Sequence, residues 1–200
     1  MNSDLTFITN EKEQNLKERF EVLIKDTKLF DCLVGYFYAS GFHAIYKSLE
    51  KTNKVRILIG ISTNPQTYDI MQKAKIEQSA LQFSSAETKE KLGEIVEKEM
   101  EDAEDSEKTE SGIYTFINWV KNGKLEIRAY PSEIIHAKVY IMTFDDEDRD
   151  KGRVITGSSN FTQSGLVDNL EFNVELKNRA DYDFALAKFE ELWKDSVDVS

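Results

Sequence analysis

The sequence predicts an α/β fold, in which a mixed β-sheet is flanked by helices and carries a long acidic helical insertion. Two observations lead to this prediction. Short apolar runs of strand length recur along the chain, and segments with apolar residues at helical spacing separate them. Strands that alternate with helices are typical of a layered α/β architecture. At 200 residues and 40% hydrophobic content, the chain suits one domain with a large core.

The first helices and strands are predicted before residue 65. Residues 11–25 carry apolar side chains at helical spacing, with Thr9 or Asn10 as the candidate cap. The dense apolar run Phe30–Tyr38 predicts a buried strand that includes Cys32. The aromatic residues of this run could stack on nucleobases, but burial in the strand also explains them. A helix over 40–49 and a strand over 55–61 follow.

Residues 66–122 are predicted to form a mostly helical insertion. Within it, residues 87–110 hold eleven acidic residues against four lysines, and the loop 145–150 adds five acidic residues against one arginine. The rest of the chain is neutral overall, so these two segments account for the net charge of −11. We expect both segments to be solvated surface. The charge balance neither requires nor excludes a nucleic-acid ligand.

Residues 135–142 carry the most informative pattern. His136, one of two histidines in the chain, lies two positions before a lysine inside this apolar run. The alternation predicts a strand in which His136, Lys138 and Tyr140 share one face. A nucleophile or proton carrier beside a fixed cation suits phosphate-ester chemistry. For Tyr140 we expect packing in the core or the site wall, and for His43 a helical position without a chemical role.

The turn Gly157–Asn160 is the second candidate element. It follows a short apolar strand, so its backbone amides and the side chains of Ser158 and Asn160 can donate hydrogen bonds to phosphate oxygens. Glu171 could accept a hydrogen bond from His136 and fix its tautomer. Lys138 would neutralise charge that develops on the phosphate. One histidine does not easily serve as both nucleophile and acid, so a homodimer would supply the second.

These residues resemble the signature of a known family. His136-x-Lys138, then Gly157-Ser158-x-Asn160 and Glu171, look like the motif of the phospholipase D superfamily, in particular its single-motif nucleases and the related domains of metal-independent restriction endonucleases. Residues 30–45 and 54–64 also resemble the phospholipase D-like module at the N-terminus of certain bacterial superfamily 2 helicases. The resemblance covers nearly the whole chain. It implies one phospholipase D-like domain over residues 1–200, as the N-terminal module of a longer protein.

The resemblance also implies a role for each residue. His136 would be the nucleophile and form a phosphohistidine intermediate, while the matching histidine of a second subunit protonates the leaving oxygen. Lys138, Ser158 and Asn160 would hold the phosphate, and Glu171 would orient His136. No metal and no other cofactor is required by this chemistry.

One position departs from the family pattern. The family has an aspartate five residues after the lysine, and that position here is Thr143. Asp145 and Asp146 lie in the acidic loop and are not expected to replace it. Because the family's aspartate is not the attacking group, its absence weakens the resemblance without removing it.

The sequence leaves two main classes of function open. The first is a metal-independent phosphodiesterase, a nuclease acting on DNA as a homodimer and associated with a helicase or a restriction system. The second is a non-catalytic nucleic-acid-binding or dimerisation module of a helicase. A lipid-hydrolysing function is a third, less suited to the single motif set.

The sequence also indicates a compartment. Its N-terminus lacks the basic start and apolar core of a signal peptide, and no apolar run approaches the roughly 20 residues that span a bilayer. We therefore expect a cytoplasmic protein without membrane association. Cys32 is the single cysteine, which excludes an internal disulfide framework.

Overall fold

A computed structural model describes residues 6–11, 15–35, 37, 39–60, 107–130, 135–145 and 150–198. In this part of the chain, eight strands form one mixed sheet in the order β1-β7-β6-β5-β2-β3-β4-β8. The strands are β1 (Phe7–Ile8), β2 (Thr27–Val34), β3 (Lys54–Gly60), β4 (Leu125–Tyr130), β5 (Lys138–Phe144), β6 (Gly152–Gly157), β7 (Asn173–Leu176) and β8 (Val197–Asp198). Strands β2, β3 and β4 are mutually parallel, whereas β5, β6 and β7 pair antiparallel. The predicted α/β class is confirmed.

Four α-helices accompany these strands in the described residues. They are α1 (Leu16–Leu23), α2 (Ala39–Ile45), α3 (Glu107–Lys121) and α4 (Arg179–Lys194). Asparagine side chains cap two of them, because Asn15 accepts from the Glu18 amide and Asn178 from the Asp181 amide, each at 2.8 Å. None of the described helices is both long and apolar enough to cross a membrane.

The sheet separates two apolar cores. Alternation along β5 sends Tyr140 and Met142 into the larger core, which α1, α2 and α3 cover. Val139 and Ile141 point to the smaller core, where α4 packs on the sheet through Phe189 and other apolar residues. One face of the sheet therefore carries three of the described helices and the other face only one.

The first helix begins later than predicted. It starts at Leu16 with Asn15 as its cap, not with Thr9 or Asn10. Asn10 instead adopts a left-handed φ of 56°, a conformation that asparagine tolerates better than most residues. Its side chain accepts from the Leu16 amide at 2.8 Å and donates to the Gly165 carbonyl at 2.9 Å. Asn10 thus ties the start of α1 to the π-helical turn Ser164–Asp168.

The strand predicted over 30–38 is shifted. It runs from Thr27 to Val34, and the chain bends at Gly35. Cys32 is fully buried, as predicted, and burial raises the pKa of its thiol. Phe37 pairs with Phe161 in an isolated bridge, and their rings stack at 5.8 Å. The packing explanation for Phe37 is therefore confirmed, while residues 36 and 38 lie outside the described residues.

The insertion is described only at its C-terminal end, where α3 confirms helix in the last part of 66–122. Most of the acidic segment 87–110, and residues 146–149 of the acidic loop, lie outside the described residues. The prediction of a long acidic helix therefore stays a prediction.

Candidate active site

The predicted site residues gather at one end of the sheet. Val34, at the end of β2, pairs with Lys138, the first residue of β5. Gly157, at the end of β6, pairs with Asn173, the first residue of β7. Because β5 and β6 are antiparallel neighbours, the segments that precede β5, follow β6 and precede β7 all lie at the same sheet end. These segments carry His136, Ser158, Asn160 and Glu171.

His136 does not belong to the strand that was predicted for it. β5 starts at Lys138, and His136 lies on the extended segment before it, where it is exposed. The strand therefore begins three residues later than predicted. The alternation holds for its apolar side, because Ile135, Ala137 and Val139 all pack with the smaller core. That His136 shares the opposite face with Lys138 and Tyr140 stays a prediction. The segment stays bound to the residue that follows β2 as far as Ala137, and at Ile135 it passes across the ends of β2 and β3.

Two glycines allow this crossing. The Gly35 amide donates to the Ala137 carbonyl at 3.0 Å, which holds the segment against the end of β2. A Cβ at Gly60 would lie 2.3 Å from the Ile135 carbonyl oxygen, closer than any packing tolerates. The ends of β2 and β3 thus position the His136 backbone. Sequence analysis missed both glycines, although each directly follows or ends an apolar strand.

Lys138 places a cation beside His136. Its Nζ donates to the His136 carbonyl oxygen at 3.4 Å, and the side chain is half-buried. Its own carbonyl accepts from Thr156 Oγ1 at 2.9 Å, which links the start of β5 to β6. This contact is to the backbone of His136, and the predicted position of the ammonium group beside the imidazole stays a prediction.

Buried polar groups anchor the turn after β6 through hydrogen bonds. The Tyr140 hydroxyl donates to the Ser159 carbonyl at 2.8 Å, and Asn173 Nδ2 donates to Ser159 Oγ at 2.8 Å. All three residues are almost inaccessible to solvent. The predicted core position of Tyr140 is confirmed, and burial raises the pKa of its hydroxyl, with smaller effects from Cys32 and Glu171. Asn173 was missed; a polar residue within an apolar strand was the available signal.

Two backbone amides of this turn are already used within the protein. The Ser158 amide donates to the Phe172 carbonyl at 3.0 Å, and the Ser159 amide donates to Asn173 Oδ1 at 3.3 Å. The expectation that the amides of the turn bind phosphate is therefore wrong for these two. Gly157 permits the close approach, since a Cβ there would lie 2.2 Å from the Phe172 carbonyl oxygen. The predicted binding of phosphate by the Ser158 and Asn160 side chains stays a prediction.

Ser158 and Glu171 form a direct pair. Ser158 Oγ donates to Glu171 Oε2 and accepts from the Phe172 amide at 3.0 Å. The carboxylate therefore fixes the orientation of the serine hydroxyl. The predicted hydrogen bond between Glu171 and His136 stays a prediction.

Asn160 offers an unsatisfied polar atom. Its Oδ1 is buried and has no hydrogen-bond partner in the described part of the chain. A buried acceptor without a partner costs about 1–3 kcal/mol. Such a group is typical of a site where a bound molecule completes the hydrogen bonding.

Thr143, at the position of the family's aspartate, lies far from this turn. It is on the face of β5 that α4 covers, where its hydroxyl and that of Tyr182 are 3.0 Å apart. Five residues of strand separate it from Lys138, which is roughly 16 Å. Thr143 therefore lies near the other end of β5 from the segments that carry His136 and Ser158.

A buried ion pair lies on that same face. Asp31, with no solvent exposure, accepts two hydrogen bonds from Arg56 at 2.6 and 2.7 Å. Arg56 also donates to Glu190 of α4 at 2.6 Å and lies over the ring of Phe189. Burial raises the pKa of Asp31 to about 6, although Arg56 opposes this shift. The network fastens α4 to the sheet.

Other chemistry-bearing groups lie apart from the site. His43 packs between helices, since a Cβ at Gly112 of α3 would lie 2.2 Å from its Nδ1. Among the described residues, no group of three or more histidine, cysteine or acidic side chains is arranged to hold a metal ion.

Comparison with known proteins places the chain in a family. The family model described as "Cardiolipin synthase, PLD-like domain" matches residues 20–193. The fold is similar to that of the phospholipase D family member Nuc from Salmonella typhimurium, with a TM-score of 0.54, 17% identity and coverage of 96% of this chain and 95% of that one. It is also similar to NucT from Helicobacter pylori, with a TM-score of 0.55, 13% identity and coverage of 96% and 97%.

A larger protein shares the same fold. Phosphatidylserine synthase from Haemophilus influenzae Rd KW20 matches with a TM-score of 0.55 and 15% identity, over 96% of this chain and 39% of that one. The search of curated protein sequences finds no significant match. Because the family model spans residues 20–193, most of the chain, the resemblance seen in the sequence is confirmed. The chain belongs to the phospholipase D-like domain family of the phospholipase D superfamily.

Proposed function

We propose that this domain is a metal-independent phosphodiesterase that cleaves DNA as a homodimer, in association with a helicase or a restriction system. One observation carries the proposal. His136, Lys138, Ser158 and Asn160 lie on segments that meet at one end of the sheet, within a fold whose family is shown. This set combines a nucleophile, a cation and two polar side chains that suit a phosphodiester.

The reaction would proceed in two displacements. A ring nitrogen of His136 attacks phosphorus and forms a P–N bond as the bond to the leaving oxygen breaks. The matching histidine of the second subunit protonates that oxygen. Water, deprotonated by the same histidine, then attacks phosphorus and breaks the P–N bond, which returns His136 to its starting state.

The remaining residues would stabilise the charged phosphate. Lys138 is close enough to the His136 backbone for its ammonium group to neutralise a non-bridging oxygen. Ser158 is exposed, and its hydroxyl would turn from Glu171 to donate to a phosphate oxygen. Asn160 would donate from its amide nitrogen to the phosphate, and its unsatisfied Oδ1 would accept from a bound water. We also propose that Glu171 orients His136, as the family resemblance implies.

The lengths of the structurally similar proteins favour a single-motif nuclease over a lipid enzyme. Nuc and NucT are matched over nearly their whole length, whereas only 39% of the phosphatidylserine synthase chain is covered. The fold by itself does not select the substrate. DNA as the substrate rests on the resemblance of residues 30–45 and 54–64 to helicase-associated modules.

A second candidate is a non-catalytic nucleic-acid-binding or dimerisation module. Thr143 favours it, because it departs from the family motif. A module of this kind would bind DNA with a steep salt dependence and would show no turnover.

One assay separates the two candidates. We would measure cleavage of plasmid DNA in excess chelator by wild type, His136→Ala and His43→Ala, the last being a matched change at the chain's other histidine. We expect chelator-resistant cleavage that His136→Ala lowers at least about 1000-fold and His43→Ala leaves within a few-fold. Equal cleavage by wild type and His136→Ala would contradict the proposal. Salt-sensitive binding without cleavage would favour the second candidate.

A further inference from the structure

Ser159 lies between two of the proposed phosphate-binding residues and is hydrogen-bonded through three of its groups. Its amide donates to Asn173 Oδ1 at 3.3 Å, and its Oγ accepts from Asn173 Nδ2 at 2.8 Å. Its carbonyl oxygen accepts from the Tyr140 hydroxyl at 2.8 Å. Ser159 and Asn173 both have no exposed surface. The backbone of Ser159 is therefore fixed on both sides by buried side chains.

Asn173 supplies two of these three bonds, and its residue type suits that task. A side-chain amide carries an acceptor and a donor on one short stem, whereas an ionised carboxylate only accepts and an aliphatic side chain does neither. Asn173 begins β7 and pairs with Gly157, and a Cβ at Gly157 would lie 2.6 Å from Asn173 Oδ1. The glycine that ends β6 and the asparagine of the neighbouring strand are therefore matched in shape.

Stability alone gives little reason for an amide at this position. A buried hydrogen bond contributes little net stability, because both of its groups are bonded to water in the unfolded chain. Replacing both partners by apolar groups of the same shape can be nearly neutral. What a buried polar network adds is one defined geometry, since any displacement leaves buried polar groups without partners. The pair Ser159–Asn173 thus restricts the turn to one arrangement.

Two side chains of the proposed site depend on that arrangement. Ser158 and Asn160 flank Ser159 directly, and consecutive Cα atoms are about 3.8 Å apart. The peptide groups that join them to Ser159 are those whose amide Asn173 holds and whose carbonyl Tyr140 holds. A displacement of Ser159 therefore moves both flanking residues together. A shift of about 1 Å in a group that positions the substrate can lower a rate about 100-fold.

We infer that Asn173 is a positioning residue for phosphate binding. Acting through Ser159, it sets the places of Ser158 and Asn160. The inference rests on the proposed function, in which those two side chains hold the phosphate. Asn173 has no exposed surface, so it acts without touching the substrate. Its effect differs from that of Glu171, which contacts the Ser158 side chain, because Asn173 holds the backbone between the two phosphate-binding residues.

Thr27 provides a matched control for a purely structural effect. It is almost inaccessible to solvent, and its Oγ1 donates to the Leu23 carbonyl at 2.9 Å. It begins β2 and pairs with Phe144 at the end of β5, so it lies at the opposite end of the sheet from Ser159. Thr27→Val and Asn173→Leu both replace a buried polar side chain by an apolar one of similar shape. They differ in whether the lost bonds reach the turn.

The test separates kcat from KM for the cleavage of plasmid DNA in excess chelator. We expect Asn173→Leu to lower kcat at least about 30-fold while KM stays within about 3-fold, because the DNA keeps its other contacts. Ser159→Ala loses only the bond from Asn173 Nδ2, so its kcat should lie between those of Asn173→Leu and wild type. The double variant should be no slower than Asn173→Leu. Thr27→Val should lower the melting temperature and leave kcat within about 2-fold.

Each kinetic outcome decides the inference. A wild-type kcat in Asn173→Leu overturns it and, if His136→Ala abolishes cleavage, leaves the proposed function standing. A kcat loss that Thr27→Val shares would also overturn it, as a general effect of lost stability. If circular dichroism shows that Asn173→Leu does not fold, the comparison of Ser159→Ala with Thr27→Val decides in the same way.

A wild type that cleaves no DNA would contradict the proposed function, and a phosphate mimic then decides the inference. Orthovanadate binding, measured by isothermal titration calorimetry, should be at least about 10-fold weaker in Asn173→Leu than in wild type and unchanged in Thr27→Val. Such a result supports the inference without catalysis. Equal binding by wild type and Asn173→Leu, or no binding by either, overturns it.

Discussion

The buried hydroxyl of Tyr140 donates a hydrogen bond to the carbonyl oxygen of Ser159 at 2.8 Å, and this bond connects the core to the turn that carries Ser158 and Asn160. Tyr140 also packs edge-on against Phe20, with ring centroids 5.0 Å apart. A residue at the centre of the larger core therefore determines where Ser158 and Asn160 are held.

Replacing this tyrosine tests the connection. Tyr140→Phe should lower the free energy of unfolding by about 1–3 kcal/mol, since it leaves a buried carbonyl unpaired. It should also reduce kcat/KM, because the turn loses its anchor. Urea titration and cleavage kinetics measure the two effects. Tyr182→Phe removes a hydroxyl contact on the opposite face and serves as control. Equal kinetic losses in the two variants would show that the anchor has no functional role.

The Ser158–Glu171 pair makes a quantitative prediction. If Glu171 acts by orienting the Ser158 hydroxyl, the effects of Ser158→Ala and Glu171→Gln on kcat/KM should be strongly non-additive. The double variant should then be within a few-fold of Ser158→Ala. Single-turnover and steady-state rates of all four proteins complete the cycle. Additive losses would instead indicate that Glu171 acts on another group, in agreement with the predicted contact to His136.

The close approach of Ile135 to Gly60 predicts a selective loss of activity. Gly60→Ala places a methyl group against the Ile135 carbonyl, so the His136 segment must move. We expect kcat/KM to fall more than about 10-fold while the fold is retained. Gly123→Ala is the control: it has φ of 75° and open space around it. That variant should lose about 1 kcal/mol of stability and little activity. If kcat/KM fell in Gly123→Ala but not in Gly60→Ala, the proposed role of Gly60 would be contradicted.

Restoring the family's aspartate at position 143 should not raise the cleavage activity. Thr143 lies on the same face as Asp31, at a diagonal position on the neighbouring strand. Thr143→Asp would place two carboxylates within about 8 Å of each other beneath α4. We expect a loss of about 1–2 kcal/mol at neutral pH and no gain in cleavage. Thermal melting and the plasmid assay measure both, with Thr143→Ser as the neutral control. A rise in cleavage would show that the aspartate was functionally required.

Asp31 also predicts how stability depends on pH. Its folded pKa of about 6 lies above the ordinary value of 3.8, because burial disfavours the charged form. The native state therefore holds a proton that the unfolded state releases, and this contribution to stability is full below pH 4 and is lost as pH rises through 6. It amounts to at most about 3 kcal/mol.

Urea titration between pH 4 and 7 checks this prediction. The stability difference between wild type and Asp31→Asn should decrease as pH rises over that window and then level off. A difference that is constant from pH 4 to 7 would contradict it.

The boundaries of the elements show where the sequence was insufficient. Apolar alternation from Ile135 onward resembles a strand, yet pairing begins only at Lys138. The difference depends on Gly35 and Gly60, which are distant in sequence and close in space. Likewise, the cap of α1 is Asn15, because Asn10 is used in contacts with the loop that precedes β7.

The sequence by itself determined the α/β class, the approximate positions of α1, β2, β3 and β5 along the chain, and the residue types of the candidate site. Those properties follow from local periodicity and from motifs a few residues long. The tertiary structure decided which groups are free to bind phosphate. In the folded protein Ser158 is hydrogen-bonded to Glu171, and two amides of the turn donate to groups of the protein itself. Thr143 lies away from the site, beside Tyr182. The register of neighbouring strands controls these contacts, and register is a property of the assembled sheet.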